Sequence, residues 1–211
     1  MMEPRFEKNG SPIVMNWEEL NTLINIRPLM AADRVNILPK KDLRWMNDVW
    51  TTYVRCYPPS EVKKSIEEGI VIIHEMSRFT EKLNSVAKEL EEEYDSPCDA
   101  HIFTCGNPDL QHPFGAHYDK SHNKIIQCEG VTNWKLWEPI DGWKDYDDAA
   151  NLEVDSDPII DVDMHPGDVI YVPRDYIHLA TTKTRRLSVS FPIRADIHPA
   201  RQEREWYKLF T

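Results

Sequence analysis

The residues best suited to chemistry are a His-x-Asp triplet and a histidine further along the chain. His117 and Asp119 stand two positions apart, and His178 follows later. Side chains at i and i+2 of a β-strand point to the same face, so His117 and Asp119 can bind one metal ion from one strand. With His178 from another strand they form a two-histidine, one-carboxylate ligand set. Such a set leaves positions on the metal open and is typical of non-haem Fe(II) oxygenases.

The triplet alone is a weak indication, because a chain with 8 histidines has a fair chance of containing one. The simpler interpretation of His178 is a packed or surface histidine in a strand. Evidence that these three residues bind a metal must therefore come from the sequence around them.

Length and composition are typical of one soluble domain. The chain has 211 residues, and 41% of them are hydrophobic, enough for a sizeable core. The formal net charge of −11 argues against bulk binding to nucleic acid or to an anionic membrane. The N-terminus lacks an apolar signal core, and no stretch approaches the roughly 20 apolar residues of a membrane helix. We therefore expect a cytoplasmic protein that does not span a membrane.

The cysteines also favour a reducing compartment. Cys56, Cys98, Cys105 and Cys128 form no CxxC pair, and their spacing indicates neither a zinc site nor a disulfide framework. We expect free thiols.

The first hundred residues are predicted to be mostly helical. Asn16 and Glu19 match a capping box ahead of a helix that begins near Trp17. Further helices are predicted at residues 41–55, 60–68 and 80–94. The last of these has the clearest helical spacing of apolar residues. The continuous apolar run Ile70–Ile73 predicts a buried strand.

After Pro97 the pattern changes to short strands separated by turn residues. We predict strands at residues 100–105, 116–119, 124–128, 134–137, 158–163, 169–172, 178–182 and 187–193. Many short strands with tight turns favour a barrel or a jelly roll.

Three parts follow from this pattern. Residues 1–97 are a helical part that packs on the barrel, residues 98–194 are the barrel itself, and residues 195–211 are a helical tail. An acidic insertion at residues 141–157 interrupts the strands. It is either a solvated loop or a surface that attracts a basic substrate.

The motifs around the triplet occur in a specific order. The triplet is followed at short intervals by Asn123, Gln127, Gly130 and Trp134. Residues 166–173 read Pro-Gly-Asp-Val-Ile-Tyr-Val-Pro and precede His178, and residues 188–191 read Ser-Val-Ser-Phe. This combination resembles the JmjC family of Fe(II)/2-oxoglutarate dioxygenases, above all the compact cupin-like branch that includes the ribosomal protein hydroxylases. The resemblance begins near Ile70 and is strongest from His101 to Pro192.

The resemblance implies both fold and chemistry. It implies a mainly β domain with N-terminal helices, built as a double-stranded β-helix of the cupin or JmjC type. His117, Asp119 and His178 would hold Fe(II), and 2-oxoglutarate would be the co-substrate of a hydroxylation. Asn123 matches a family position that contacts the cofactor or a metal-bound water. Ser190 matches a position that lines the cavity.

One residue departs from the family pattern. The family places a Lys or Arg two residues before the Trp of the fourth core strand, where it pairs with the distal carboxylate of 2-oxoglutarate. Thr132 stands there in this chain. Its hydroxyl can donate one hydrogen bond to the co-substrate but cannot neutralise a buried carboxylate, and an unpaired buried charge is costly. A cation must then come from elsewhere, or the co-substrate differs.

Strand parity gives a replacement. Arg186, Ser188 and Ser190 share one face of the last strand, so Arg186 can enter the cavity if Ser190 lines it. The alternative is a solvated residue at the strand end. His101 alternates with Phe103 on an earlier strand, where it either lines the pocket as a hydrogen-bond donor or is a buried structural histidine.

Three functions remain open from the sequence. The first is an oxygenase that hydroxylates a protein or peptide side chain. The second is a hydroxylase of the same chemistry that acts on a small molecule or a tRNA base. The third is a metal-binding JmjC-like module without oxygenase activity, which Thr132 keeps in consideration.

Overall fold

The computed structural model describes residues 2–31, 34–38, 46–47, 55–108, 115–140 and 150–193. Its helices are α1 (Trp17–Ile24), α2 (Pro59–Glu68) and α3 (Glu81–Tyr94), with a 3-10 helix at Arg27–Met30. Its strands are β1 (Arg5–Glu7), β2 (Val35–Leu38), β3 (Met46–Asn47), β4 (Arg55–Cys56), β5 (Ile70–Ile73), β6 (His101–Cys105), β7 (His122–Glu129), β8 (Thr132–Trp137), β9 (Ile160–Met164), β10 (Val169–Val172), β11 (Ile177–Thr182) and β12 (Arg186–Ile193). Within these ranges no helix is long and apolar enough to cross a membrane.

Two antiparallel sheets form the body of the domain. The larger has seven strands in the order β1-β10-β7-β12-β6-β5-β2, and the smaller has three in the order β11-β8-β9. Ile125 and Ile170 of the larger sheet belong to one buried cluster with Trp134 and Leu136 of the smaller, so the sheets face each other. This arrangement is the double-stranded β-helix of the predicted jelly roll.

The alternation of side chains along β12 explains how one strand serves two surfaces. Leu187, Val189 and Phe191 are fully buried in the core on the helix side of the larger sheet. The residues between them point into the space between the sheets, as a period of two requires.

The helices cover the outer face of the larger sheet. Leu20 of α1 and Leu83 of α3 join the same buried cluster as Val189 of β12. The predicted capping box forms at the start of α1. The Asn16 side chain accepts from the Glu19 amide at 2.8 Å, and the Glu19 carboxylate accepts from the Asn16 amide at 2.9 Å.

The prediction of a helix at residues 41–55 is wrong for those residues of this range that the structure describes. Met46–Asn47 pairs with Arg55–Cys56 as two short antiparallel strands, and the residues between them lie outside the described ranges. The predicted strand Ile70–Ile73 is confirmed as β5, but the prediction of mostly helices needs correction, because the unpredicted strands β1 and β2 also join the larger sheet. Local periodicity cannot reveal such pairing, since the partners are distant in sequence.

The strand predicted at residues 116–119 is reduced to one bridged residue. His117 exchanges both backbone hydrogen bonds with His178, at 3.0 and 2.7 Å. Gly115, two residues earlier, has a φ of +57°, outside the extended region. His117 therefore adds an isolated bridge beside β11 rather than a further strand of the smaller sheet.

The division of the chain at residue 97 stays a prediction. Residues 150–157 of the acidic insertion form no helix or strand, and residues 141–149 lie outside the described ranges. The predicted tail at residues 195–211 lies outside them too.

Candidate active site

The three predicted metal ligands meet at one end of the space between the sheets. The ligand atoms of His117, Asp119 and His178 all lie within 4.8 Å of one another. His178 Nε2 is 3.7 Å from Asp119 Oδ2, and the centroids of the two imidazole rings are 4.3 Å apart. Among the described residues this is the one group of three His, Cys, Asp or Glu side chains that could hold a metal ion.

Backbone carbonyls set the tautomer of both histidines. His117 Nδ1 lies 3.0 Å from the Gly115 oxygen, and His178 Nδ1 lies 3.1 Å from the Tyr176 oxygen. A carbonyl can only accept, so each Nδ1 carries a proton and each Nε2 keeps its lone pair for a metal. Burial, followed by the neighbouring His178, lowers the pKa of His117 and keeps this ring neutral.

A polar chain holds the carboxylate in place. Asn123 Nδ2 donates to Asp119 Oδ2 at 3.0 Å, and Ser190 Oγ donates to Asn123 Oδ1 at 3.1 Å. Asn123 and Ser190 are both buried. Two neutral imidazoles and a braced carboxylate are the donor set that fits a ferrous ion.

The ligands differ in their exposure to solvent. The side chain of His178 is 5% exposed, whereas that of Asp119 is 44% exposed. The candidate metal centre thus lies at the mouth of the cavity, within reach of a large molecule outside.

Behind the mouth lies a cavity of about 290 Å³. Its walls come from both sheets, with Trp134, His178 and Ala180 on the smaller one. The larger sheet contributes alternate residues from neighbouring strands, and those of β12 are Arg186, Ser188, Ser190 and Pro192. The predicted shared face of Arg186, Ser188 and Ser190 is therefore correct.

Arg186 is a buried cation in the wall of the cavity. It is 2% exposed and lines the cavity, and it forms no hydrogen bond or ion pair within the described part of the chain. Burial lowers the pKa of its guanidinium to about 10, so the group remains positively charged at neutral pH. Arg186 precedes Ser190 by four residues, about 13 Å along an extended strand.

Thr132 is buried but is not among the described residues that line the cavity. It pairs with Thr182 across the smaller sheet, and its Oγ1 has no hydrogen-bond partner in the described structure. Gln127 Oε1 and Trp134 Nε1 are unpartnered in the same way. The contact predicted between Thr132 and a co-substrate stays a prediction.

His101 lines the cavity together with Phe103, as their alternation on β6 predicts. His74 and Asn36, which no sequence motif singles out, also line the cavity. His74 directly follows the buried strand β5, and that position could have suggested it.

Comparison with protein families identifies one domain in this chain. Residues 73–199, more than half of the chain, match the family model described as the JmjC domain.

The most similar relatives include proteins called bifunctional lysine-specific demethylase and histidyl-hydroxylase NO66. The chain is 30% identical over 132 residues to NO66 of Drosophila persimilis, a match covering 61% of this chain and 19% of that protein. It is 31% identical over 144 residues to NO66 of Drosophila sechellia, covering 64% of this chain and 21% of that protein. The chain thus spans about a fifth of the length of these relatives.

Among solved structures, YcfD from Escherichia coli is similar along nearly the whole chain. This protein is described as a ribosomal oxygenase, in complex with cobalt and 2-oxoglutarate. The match has a TM-score of 0.60 and 19% identity, and it covers 99% of this chain and 51% of YcfD. At this identity the likeness establishes the shared fold.

Proposed function

Because the chain belongs to the JmjC domain family, we propose that it is an Fe(II)- and 2-oxoglutarate-dependent oxygenase that hydroxylates a protein or peptide side chain. The observation that carries the proposal is the convergence of His117, Asp119 and His178, with both Nε2 atoms left to coordinate. A cytoplasmic location is part of the same proposal.

Different residues would hold the metal and orient its ligands. His117, Asp119 and His178 would hold the iron. A bound ferrous ion would supply the redox chemistry by which one O₂ oxidises two substrates: one oxygen atom enters the 2-oxo acid as it loses CO₂, and the other hydroxylates a C–H bond. Asn123 holds Asp119 so that its carboxylate oxygens keep one orientation. Apolar side chains such as Phe103 line part of the space behind the metal ligands.

Arg186 is the group that would bind the distal carboxylate of 2-oxoglutarate. It lies toward the far end of the same cavity as the ligands and is buried, and its Nε has no partner among the described residues. A guanidinium can grip a carboxylate with two parallel hydrogen bonds. A ligand that joins the two sites needs a chelating group at one end and an anion at the other, which is the form of 2-oxoglutarate. Arg186 thus takes the role for which Thr132 is chemically unsuited.

The exposure of the metal end supports a large substrate. Asp119 is 44% exposed at the mouth, so a side chain on a protein surface can approach the metal from outside. The names of the relatives NO66 and YcfD also indicate action on amino-acid residues or on ribosomes. We extend a protein substrate to this chain on these grounds.

Anaerobic absorption spectroscopy tests the proposal. Adding Fe(II) and then 2-oxoglutarate to the protein should produce a visible metal-to-ligand charge-transfer band. The exposed His165→Ala serves as a control and should keep the band. If no band forms, and no 2-oxoglutarate is consumed with a broad panel of substrates, the metal-binding module without oxygenase activity is the correct alternative.

A further inference from the structure

A chain of three hydrogen-bonding side chains runs along the cavity wall. Asn36 Nδ2 lies 3.1 Å from His74 Nε2, and His74 Nδ1 lies 3.2 Å from His101 Nδ1. The two rings meet edge to face, with centroids 4.6 Å apart and planes at 83°. None of these residues belongs to the metal ligand set.

The larger sheet places this chain near the metal end of the cavity. Asn36 lies on β2, His74 follows β5 and His101 begins β6, three strands that are neighbours in the sheet. His101 is in register with Ser190, the residue that supports Asn123 and, through it, Asp119. The row that contains Arg186 is about 13 Å away along the strands. His101 is therefore close to the place of the substrate rather than to the carboxylate anchor.

The position of each proton in the hydrogen-bonded series of Asn36, His74 and His101 follows from the neutrality of the two rings and from the donor at Asn36. Burial lowers the pKa of His74, and burial followed by His74 lowers that of His101 to about 4, so both rings are neutral. Two neutral rings in contact through nitrogen need one N–H and one lone pair. The Asn36 amide donates to His74 Nε2, so His74 carries its proton on Nδ1 and donates it to His101 Nδ1.

The remaining proton of His101 must then be on Nε2. This atom has no hydrogen-bond partner among the described residues, and His101 lines the cavity. The wall thus presents a fixed hydrogen-bond donor that cannot switch to an acceptor unless Asn36 and His74 also reverse.

We propose that His101, held in one tautomer by Asn36 and His74, is a specificity-determining residue that donates from Nε2 to an acceptor on the substrate side chain. This inference rests on the proposed function. Imidazole, carboxamide and hydroxyl groups offer an acceptor, whereas the ammonium of Lys and the guanidinium of Arg offer donors only. The site would therefore take His, Asn, Gln, Ser or Thr side chains in preference to Lys or Arg.

The tautomer is tested by nuclear magnetic resonance on protein with ¹⁵N-labelled histidine, loaded with Zn(II) and 2-oxoglutarate. Long-range ¹H–¹⁵N spectra should show His101 protonated on Nε2 and not on Nδ1. In Asn36→Asp, measured at alkaline pH so that the new carboxylate does not leave His74 doubly protonated, the carboxylate can only accept, so each hydrogen bond of the series should reverse and His101 should carry its proton on Nδ1. Asn21→Asp, the same change on the exposed face of α1, should leave the wild-type pattern. Wild-type protein protonated on Nδ1, or no reversal in Asn36→Asp, overturns the proposal.

Two small probes test the donor itself. N,N-dimethylacetamide has an acceptor and no donor, and methylammonium has donors and no acceptor. The first should shift the His101 Nε2 resonance of the wild type, and the second should not. Asn36→Asp should weaken the response to N,N-dimethylacetamide about five- to tenfold, the worth of one hydrogen bond. An equal response to both probes, or none to N,N-dimethylacetamide, overturns the assignment.

Failure here is distinguishable from failure of the proposed function. The charge-transfer band with Fe(II) and 2-oxoglutarate is measured on the same wild-type preparation. A band together with a failed probe test leaves an oxygenase whose substrate is selected elsewhere.

Discussion

The two ends of the cavity differ in how their polar groups are satisfied. At the metal end, His117, His178 and Asp119 each form a hydrogen bond with a protein group that orients them. Toward the far end, Arg186 Nε is buried with no partner in the described structure. The polar groups at the metal end therefore have orienting hydrogen bonds before a metal binds. The guanidinium at the far end still lacks a partner for its Nε among the described residues, and these two ends are called the complete and the incomplete end.

This difference shows which part of each ligand site the protein supplies. Orienting a metal ligand requires only local hydrogen bonds, which the fold can form without the metal. A partner for Arg186 inside the protein would compete with an incoming carboxylate. Each unpaired buried polar group costs about 1–3 kcal/mol, and the bound co-substrate would remove that cost.

The largest effect is expected from removing a ligand at the complete end. His178→Ala should abolish metal binding and 2-oxoglutarate turnover, because two ligands cannot retain the ion in an open site. Calorimetric titration with Mn(II) measures the binding, and His165→Ala is the matched control. Retained affinity in His178→Ala would place the metal elsewhere.

The second-largest effect is expected from removing the guanidinium at the incomplete end of the cavity. Arg186→Met should weaken 2-oxoglutarate binding by roughly 100-fold or more, since two charge-assisted hydrogen bonds of about 1.5–3 kcal/mol each are lost. Metal affinity should be retained, which calorimetry on the same variant checks. Arg185→Met is the control, because Arg185 pairs with Glu67 on the surface and does not line the cavity. Equal 2-oxoglutarate affinity in both variants would remove Arg186 as the anchor.

A smaller effect is expected from the support of Asp119. Asn123→Ala removes the amide that donates to the carboxylate, and loss of such a partner lowers metal affinity roughly 10- to 100-fold. Asn133→Ala is the control, since Asn133 bonds to Asp161 and Asp163 on the surface. If both variants bind metal alike, the chain through Asn123 does not orient the ligand.

The smallest expected effect is a gain in stability rather than a loss of binding. Without 2-oxoglutarate, Arg186→Met should raise the free energy of unfolding by about 1–3 kcal/mol, because an unpaired buried cation is replaced by an apolar side chain. At about 100 times the dissociation constant, 2-oxoglutarate should stabilise the wild type by about 2.7 kcal/mol and the variant much less. Urea unfolding measures both. A variant less stable than the wild type without ligand would show that Arg186 has a structural partner.

Much of the fold was predictable because its causes are local. The capping box at Asn16 and the alternation along β12 depend on residues a few positions apart, and both predictions are correct. The helix predicted at residues 41–55 fails at Met46–Asn47, because these residues pair with a strand eight or more positions away. The strand predicted at residues 116–119 shrinks to a bridge at His117, because within this range only His117 pairs with a residue of a neighbouring strand, His178.

By itself the sequence determined which side chains could bind metal and that Arg186 shares a strand face with Ser190, since residue type and a period of two are written in the chain. Only the tertiary structure decided that Arg186 is buried with no partner for its Nε, and that Thr132 stays out of the cavity lining, as far as the described residues show. It alone brought Asn36 and His74 to His101. Those outcomes depend on the register of strands far apart in sequence, which is set by the packing of the whole sheet rather than by any one segment.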